Sequence, residues 1–116
     1  MNFQQAVQTC FRKYVEFSGR ASRPEYWWFI LAYFVAAFVG GFIHEFVYYL
    51  VVLAFLLPLL AAGARRLHDV GRSAWFLLLG LIPVIGTLVL LYFMVQPSQP
   101  EANEYGPPPA PVPVVA

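Results

Sequence analysis

Three long apolar runs, none of which contains a charged side chain, constrain the fold of this chain more than any other feature. They cover residues 26–43, 46–64 and 74–95. At about 1.5 Å of rise per residue, each run forms a helix of roughly 27 to 33 Å, which matches the ~30 Å hydrocarbon core of a bilayer. A soluble protein needs helices with polar faces, and these runs are apolar on every side. The sequence therefore predicts an all-α membrane protein with three transmembrane helices.

The basic residues predict the orientation of these helices. All seven Lys and Arg residues precede residue 73, and none lies within an apolar run. They occur before the first run and between the second and the third, whereas the His44-Glu45 link and the stretch after Val95 contain none. Short loops rich in Lys and Arg stay in the cytoplasm. We therefore expect the N-terminus inside and, after three crossings, the C-terminus outside.

Two flanking segments complete the predicted domain organisation. In residues 1–17, Phe3, Val7, Cys10 and Tyr14 recur at helical spacing with polar residues opposite, which predicts an amphipathic helix. We expect this helix to lie in the headgroup plane, and a docking surface for another protein is the alternative. Residues 18–95 form the transmembrane domain. Residues 96–116 are rich in proline, cannot continue a helix, and are predicted to be a disordered tail.

The first spanning helix has a clear start signal. Ser22 and Glu25 are spaced as in a capping box, in which the hydroxyl accepts from the amide of Glu25 while the carboxylate reaches back. Pro24 fits the first turn because its missing amide would have no partner there. The spacing therefore predicts that a helix begins just after Ser22.

Small residues at helical spacing predict where the helices pack, because small side chains let helix backbones approach closely in lipid. We expect two prolines among them to kink their helices, since each leaves a carbonyl without its helical donor. In chain order, the predicted packing residues are Ala32, Ala36 and Gly40 in the first run, Pro58 in the second, and Gly80 and Pro83, which share a face with Thr87, in the third.

Polar residues converge where the first hairpin brings residues 19–25 beside residues 65–73. Guanidinium groups match phosphate oxygens in pairs, so an anionic lipid headgroup is the expected partner. The alternative is structural, with ion pairs tying the two loops together. The candidate binding residues are Arg20, Arg23, Arg65, Arg66 and Arg72, supported by Glu25, His68 and Asp69.

No pattern in the sequence predicts a catalytic site. His68 and Asp69 are adjacent, which suits neither a metal-binding pair at i and i+4 nor a base with its orienting acid. Ser73 is interpreted as a helix cap and not as a nucleophile. We therefore predict a protein that is not an enzyme, with no metal, no cofactor and no nucleic-acid partner.

Two sequence blocks carry a resemblance to a known family. Residues 17–27 (FSGRASRPEYW) and 65–75 (RRLHDVGRSAW) resemble the signature blocks of the small bacterial inner-membrane proteins grouped as domain of unknown function 805, the YhaH-like family. Residues 81–83 (LIP) with Gly86, and residues 103–107 (NEYGP), resemble its third block and its tail motif. The resemblance implies a location in the bacterial inner membrane, and it implies no activity.

Together these observations predict a multi-pass inner-membrane protein whose cytoplasmic arginine patch engages anionic lipid or a protein partner, which includes a further copy of the chain. The alternative is a channel or transporter subunit that oligomerises through the small-residue faces. Ionisable residues usually line ion and proton paths, and none lies inside the predicted spans, which disfavours the alternative.

Overall fold

The computed structural model describes residues 2–109, and within that range the protein is helical with no β-strand. The predicted all-α class is therefore confirmed. The elements in chain order are α1 (Phe3–Arg12), α2 (Arg23–Ile43), α3 (Glu45–Asp69), a 3-10 helix (Ala74–Leu81) and α4 (Ile85–Met94).

Helix α1 is short and packs on the α2–α3 pair. It begins at Asn2, whose side chain accepts from the Gln5 amide while the Gln5 side chain accepts from the Asn2 amide. It ends at Arg12, so it is shorter than the predicted segment. Cys10 is buried on its inner face. The ring of Phe11 lies edge-on to Phe29, with the ring centroids 5.3 Å apart.

Helices α2 and α3 form an antiparallel hairpin that turns at His44, and both are long and apolar enough to cross a membrane. Their 21 and 25 residues give lengths of about 32 and 38 Å. Only 17% and 28% of their most apolar stretches are buried inside the protein. Phe42, for example, is 83% exposed. Core helices of a soluble protein would bury these side chains, so lipid is the environment that they fit.

The α2–α3 interface uses small side chains at several levels. Ala32 and Gly40 are buried, and Ala36 is half-buried. A Cβ added to Gly40 would lie 3.2 Å from Cγ2 of Val51, so the two backbones approach closely there. Pro58 is buried within α3, which continues as one helix on both sides of it.

The prediction that residues 74–95 form a single spanning helix is wrong. The 3-10 helix ends at Leu81, and Pro83 forces Ile82 into an extended conformation, with φ −90° and ψ 111°. Val84 then has φ +64° and ψ −66°, and the Ile85 amide donates to the Pro83 carbonyl at 2.7 Å. These values define a γ-turn of the rare kind with positive φ. The chain therefore reverses direction at Pro83, where the sequence predicted only a kink.

The 3-10 helix and α4 pack against each other as a helical hairpin. The rings of Phe76 and Phe93 meet with centroids 5.5 Å apart. Near the turn, a Cβ added to Gly86 would overlap the carbonyl group of Leu79, so only glycine fits. The prediction that Gly80 lies with Pro83 and Thr87 on one helix face is therefore wrong, because these residues belong to two different segments and a turn.

Neither arm of this hairpin is long enough to cross a membrane. The eight residues of the 3-10 helix extend about 16 Å and the ten residues of α4 about 15 Å, which is half of a ~30 Å hydrocarbon core. Helix α4 therefore returns to the end of the molecule from which the 3-10 helix started. The Trp27 indole donates to the Met94 carbonyl at 3.2 Å, next to the start of α2.

Residues 96–106, which we call the strap, run across the end of the molecule where α3 ends and α2 begins. The Gln99 amide donates to the Asp69 carbonyl at 2.9 Å, and the Asn103 side chain donates to the His68 carbonyl at 3.0 Å. The Tyr105 ring stacks on His68, with centroids 3.9 Å apart. The strap therefore packs beside residues 65–73, whereas the sequence predicted a disordered tail on the opposite side of the membrane. Residues 110–116 of the predicted tail lie outside the described residues.

Candidate functional site: the arginine cluster

Asp69 is the centre of the polar cluster that the sequence predicted. It is the last residue of α3 and is fully buried. One carboxylate oxygen accepts from Nε of Arg20 at 2.9 Å and the other from Arg66 at 2.6 Å. The hydroxyl of Ser98 in the strap also donates to it. A single carboxylate thus connects the loop before α2, the end of α3 and the strap.

Arg20 uses its remaining donors on backbone carbonyls. It donates to the carbonyls of Gln99 at 2.6 Å, Glu101 at 2.9 Å and Gly106 at 3.3 Å, all in the strap. A further hydrogen bond of 3.3 Å goes to the carbonyl of Asp69. Its guanidinium group is therefore saturated by protein acceptors, and the strap covers it.

Arg66 connects the same three parts of the chain. It donates to the carbonyl of Met94 at 3.1 Å, to that of Ala21 at 3.3 Å, and to that of Gln96. Its side chain is fully buried. The end of α4 and the strap are therefore held at this end of the molecule by an arginine that belongs to α3.

A third buried ion pair joins α2 to α3. Arg65 donates to the Glu25 carboxylate and, through Nε, to the carbonyl of Glu16 at 3.2 Å. The cap at Ser22 forms as the sequence predicted, with its hydroxyl accepting from the Glu25 amide at 3.4 Å. The Glu25 carboxylate, however, turns to Arg65 and does not reach back to the cap. The ion pair with Arg65 has replaced the hydrogen bond that a capping box would form between the Glu25 carboxylate and the Ser22 amide.

The thiol of Cys10 lies beside this pair, 3.9 Å from the Glu25 carboxylate. Burial and the negative charge of Glu25 raise the pKa of Cys10 to about 12. The thiol is therefore protonated at physiological pH and behaves as a small apolar group.

The buried part of the cluster carries an excess of positive charge. Arg20, Arg65 and Arg66 are buried with only Glu25 and Asp69 as counter-charges. Backbone carbonyls supply the remaining acceptors for Arg20 and Arg66. Burying charge is costly unless each group is paired and hydrogen-bonded, so removal of any partner here has a large effect on stability.

The other two predicted arginines are exposed. Arg23 donates to the Val95 carbonyl at 3.1 Å and otherwise faces outward. The guanidinium group of Arg72 lies 5.0 Å from the centroid of the Phe93 ring, within the range of a cation–π contact. Arg72 also lines a pocket of about 270 Å³ with Val70, Tyr92, Phe93, Gln96 and Pro97.

The structure thus divides one predicted patch into a buried group and an exposed group. His68 belongs to the buried group, where its Nδ1 bonds the Gly19 carbonyl at 2.9 Å. Sequence reasoning missed the strap side chains Ser98 and Tyr105, although the motif that contains Tyr105 was visible. Within residues 2–109, no three His, Cys, Asp or Glu side chains are placed to hold a metal ion.

The family model described as "Protein of unknown function (DUF805)" matches residues 14–107. The chain belongs to this family. The DUF805 match includes all three buried ion pairs, the helical hairpin and the whole strap, which are therefore parts of one family domain.

Two curated relatives from Escherichia coli K12 match most of the chain. "Inner membrane protein YhaH" is 39% identical over 109 residues, which cover 84% of this chain and 90% of the relative. "Inner membrane protein YhaI" is 42% identical over 102 residues, which cover 82% and 86% respectively. No solved structure matches the chain. With these relatives and two helices able to span a bilayer, the predicted location in the bacterial inner membrane is confirmed.

Proposed function

We propose that this protein is a non-enzymatic inner-membrane protein that binds the phosphate of anionic lipids on the cytoplasmic leaflet through Arg23 and Arg72. The observation that carries the proposal is the division of the arginines. Arg20 and Arg66 are buried and hydrogen-bonded to protein acceptors, whereas Arg23 and Arg72 stay exposed, Arg23 next to an apolar groove and Arg72 in a pocket with both polar and apolar lining. We assign the buried group to holding the fold and the exposed group to lipid.

The proposal includes a membrane topology. Residues 65–73 are placed in the cytoplasm by their three arginines. Since the strap and the start of α2 contact this loop, they share its side. Helices α2 and α3 then cross the bilayer, while the 3-10 helix and α4 enter the inner leaflet and return. This topology replaces the predicted three crossings with two and keeps both ends of the described chain in the cytoplasm.

The surroundings of the two exposed arginines support lipid as the ligand. The Phe93 ring covers one face of the Arg72 guanidinium, and donors at the edge of that plane can pair with phosphate oxygens. Arg23 stands next to an apolar groove of about 260 Å³ lined by Pro24, Trp27, Trp28 and Leu31. Tryptophan prefers the depth of the membrane interface. A phosphate at the arginine and an acyl chain in the groove therefore suit this surface.

The test compares lipids retained by the full chain in native mass spectrometry from nanodiscs of phosphatidylglycerol and phosphatidylcholine. We expect the wild type to retain phosphatidylglycerol and the double variant Arg23→Gln/Arg72→Gln to lose it. The matched control is Arg12→Gln/Lys13→Gln, which removes the same charge from the end of α1. General attraction to an anionic surface, about 1 kcal/mol per basic residue, falls equally in both variants. Equal retention by the two variants would therefore refute the site.

A further inference from the structure

The molecule is much broader at one end of the α2–α3 hairpin than at the other. Helix α1 packs at the end that carries residues 65–73, with the rings of Phe3 and Trp28 5.9 Å apart. The helical hairpin packs there too. A Cβ added to Gly63 would lie 3.1 Å from Leu77 in the 3-10 helix. At the His44 end, α2 and α3 pack on each other, as at Gly40 and Val47, and no other helix of residues 2–109 joins them there.

The tip of the helical hairpin shows how deep this broad part extends. Leu81, Val84 and Ile85 are 80%, 70% and 68% exposed, and all three are apolar. Within residues 2–109 no other segment covers these side chains, so hydrocarbon is the environment that they fit. Irregular backbone can enter hydrocarbon only when its polar groups are paired inside the protein, and here the Gly86 amide donates to the Ile82 carbonyl and the Ile85 amide to the Pro83 carbonyl. With arms of about 15 Å, the tip reaches the middle of the bilayer and stops there.

The consequence is a difference in cross-section between the two leaflets. A helix with a diameter of about 10 Å occupies roughly 80 Å² of membrane, so α2 and α3 occupy about 160 Å² in each leaflet. The two arms of the hairpin add about the same area to one leaflet alone, which doubles the cross-section there. Helix α1 enlarges the same side further.

We infer that this protein recognises membrane curvature because it is a wedge, with a larger cross-section in the cytoplasmic leaflet than in the other. It prefers lipid surfaces whose cytoplasmic leaflet is convex. The inference rests on the topology proposed above. Packed protein is almost incompressible, so a broad half crowds the lipids of one leaflet in a flat bilayer. Bending that leaflet outward gives its lipids more area and relieves the crowding. Amphipathic helices that insert into one leaflet are sensitive to curvature for the same reason.

The test uses the full chain, carrying a different short tag at each terminus, in giant vesicles of phosphatidylethanolamine and phosphatidylglycerol. Membrane nanotubes are pulled from the vesicles, so that the outer leaflet of each tube is strongly convex. A fluorescent label that cannot cross the membrane is added outside in one experiment and enclosed in the other. The two experiments therefore observe the two orientations of the same protein, and each orientation controls for the other.

We expect molecules whose termini face outward to be enriched on the tube and molecules whose termini face inward to be depleted. Tube-to-flat ratios that are equal for the two orientations would overturn the wedge. The two tags separate this failure from a failure of the topology. If outside label reached one tag of a molecule and not the other, the termini would lie on opposite sides, and the topology and the wedge would both be refuted.

Discussion

Replacement of Asp69 by Asn provides the most direct test of how the arginine cluster stabilises this fold. The change keeps the size of the side chain and one acceptor oxygen, and it removes the negative charge. It also directs an amide donor at a guanidinium group, that of Arg66 or of Arg20, which can only donate. Three buried arginines would then share one buried carboxylate, Glu25.

The expected loss of stability is large. Removal of one partner from a buried ion pair costs about 3–5 kcal/mol because the other charge remains buried without compensation. Asp69 pairs with both Arg20 and Arg66, so we expect the upper end, about 5 kcal/mol. The free energy of unfolding of a domain is about 5–15 kcal/mol. A loss of this size would therefore leave the variant close to unfolding or would release the strap.

The assay is reversible unfolding in detergent micelles, together with protease sensitivity of the strap. The control is Glu45→Gln, an exposed carboxylate at the other end of α3, for which we expect a change within about 0.5 kcal/mol. The double variant Asp69→Asn/Arg20→Gln removes one of the charges left without a partner, so its loss of stability should be smaller than the sum of the losses of the two single variants. A loss below about 1 kcal/mol for Asp69→Asn, with the strap still protected, would refute the structural role of the buried arginines.

Three further predictions concern single positions. Gly86→Ala should lower the free energy of unfolding by about 1–3 kcal/mol because the new Cβ overlaps the Leu79 carbonyl group. Gly41→Ala, where the new Cβ would make only ordinary van der Waals contact with Tyr48, should raise it by up to about 1 kcal/mol. Equal effects of the two changes in thermal unfolding would contradict the close packing of the hairpin. Val84→Gly should raise the free energy of unfolding by about 1–2 kcal/mol in the same assay because glycine tolerates a φ of +64°, and a loss of stability would argue against the γ-turn. Cys10 should resist maleimide at pH 8 in the folded protein and react after unfolding, since its pKa of about 12 keeps the thiol protonated; rapid labelling of the folded protein would contradict its burial.

Features that depend on neighbouring residues were predictable from the chain alone. Apolar length identified two helices able to span a bilayer, because hydrophobicity and helical rise act locally. The cap at Ser22 was equally visible, since its hydrogen bond joins residues three positions apart. The two basic loops were expected to meet for a simple reason: a hairpin of two spanning helices returns the chain to the side from which it started.

The structure of the third apolar run could not be predicted from the local sequence. Its length and composition suit a spanning helix, and they suit a hairpin of two short arms equally well. Pro83 and Gly86 were present in the sequence, but a proline can kink a helix or end it. The close contact of Gly86 with Leu79 and the bonds from Arg66 to Met94 and Gln96 favour the reversal. These contacts exist only when both arms are packed beside α3.

The division of the arginines was also beyond the reach of the sequence. Arg20, in the loop before α2, and Arg23, the first residue of α2, stand three positions apart, yet one is buried and the other exposed. What separates them is Asp69, 49 residues away from Arg20, and the strap, whose carbonyls lie 79 to 86 residues away. Charge and spacing place a guanidinium group near the membrane surface. Whether protein or lipid supplies its acceptors depends on which distant segments fold over it.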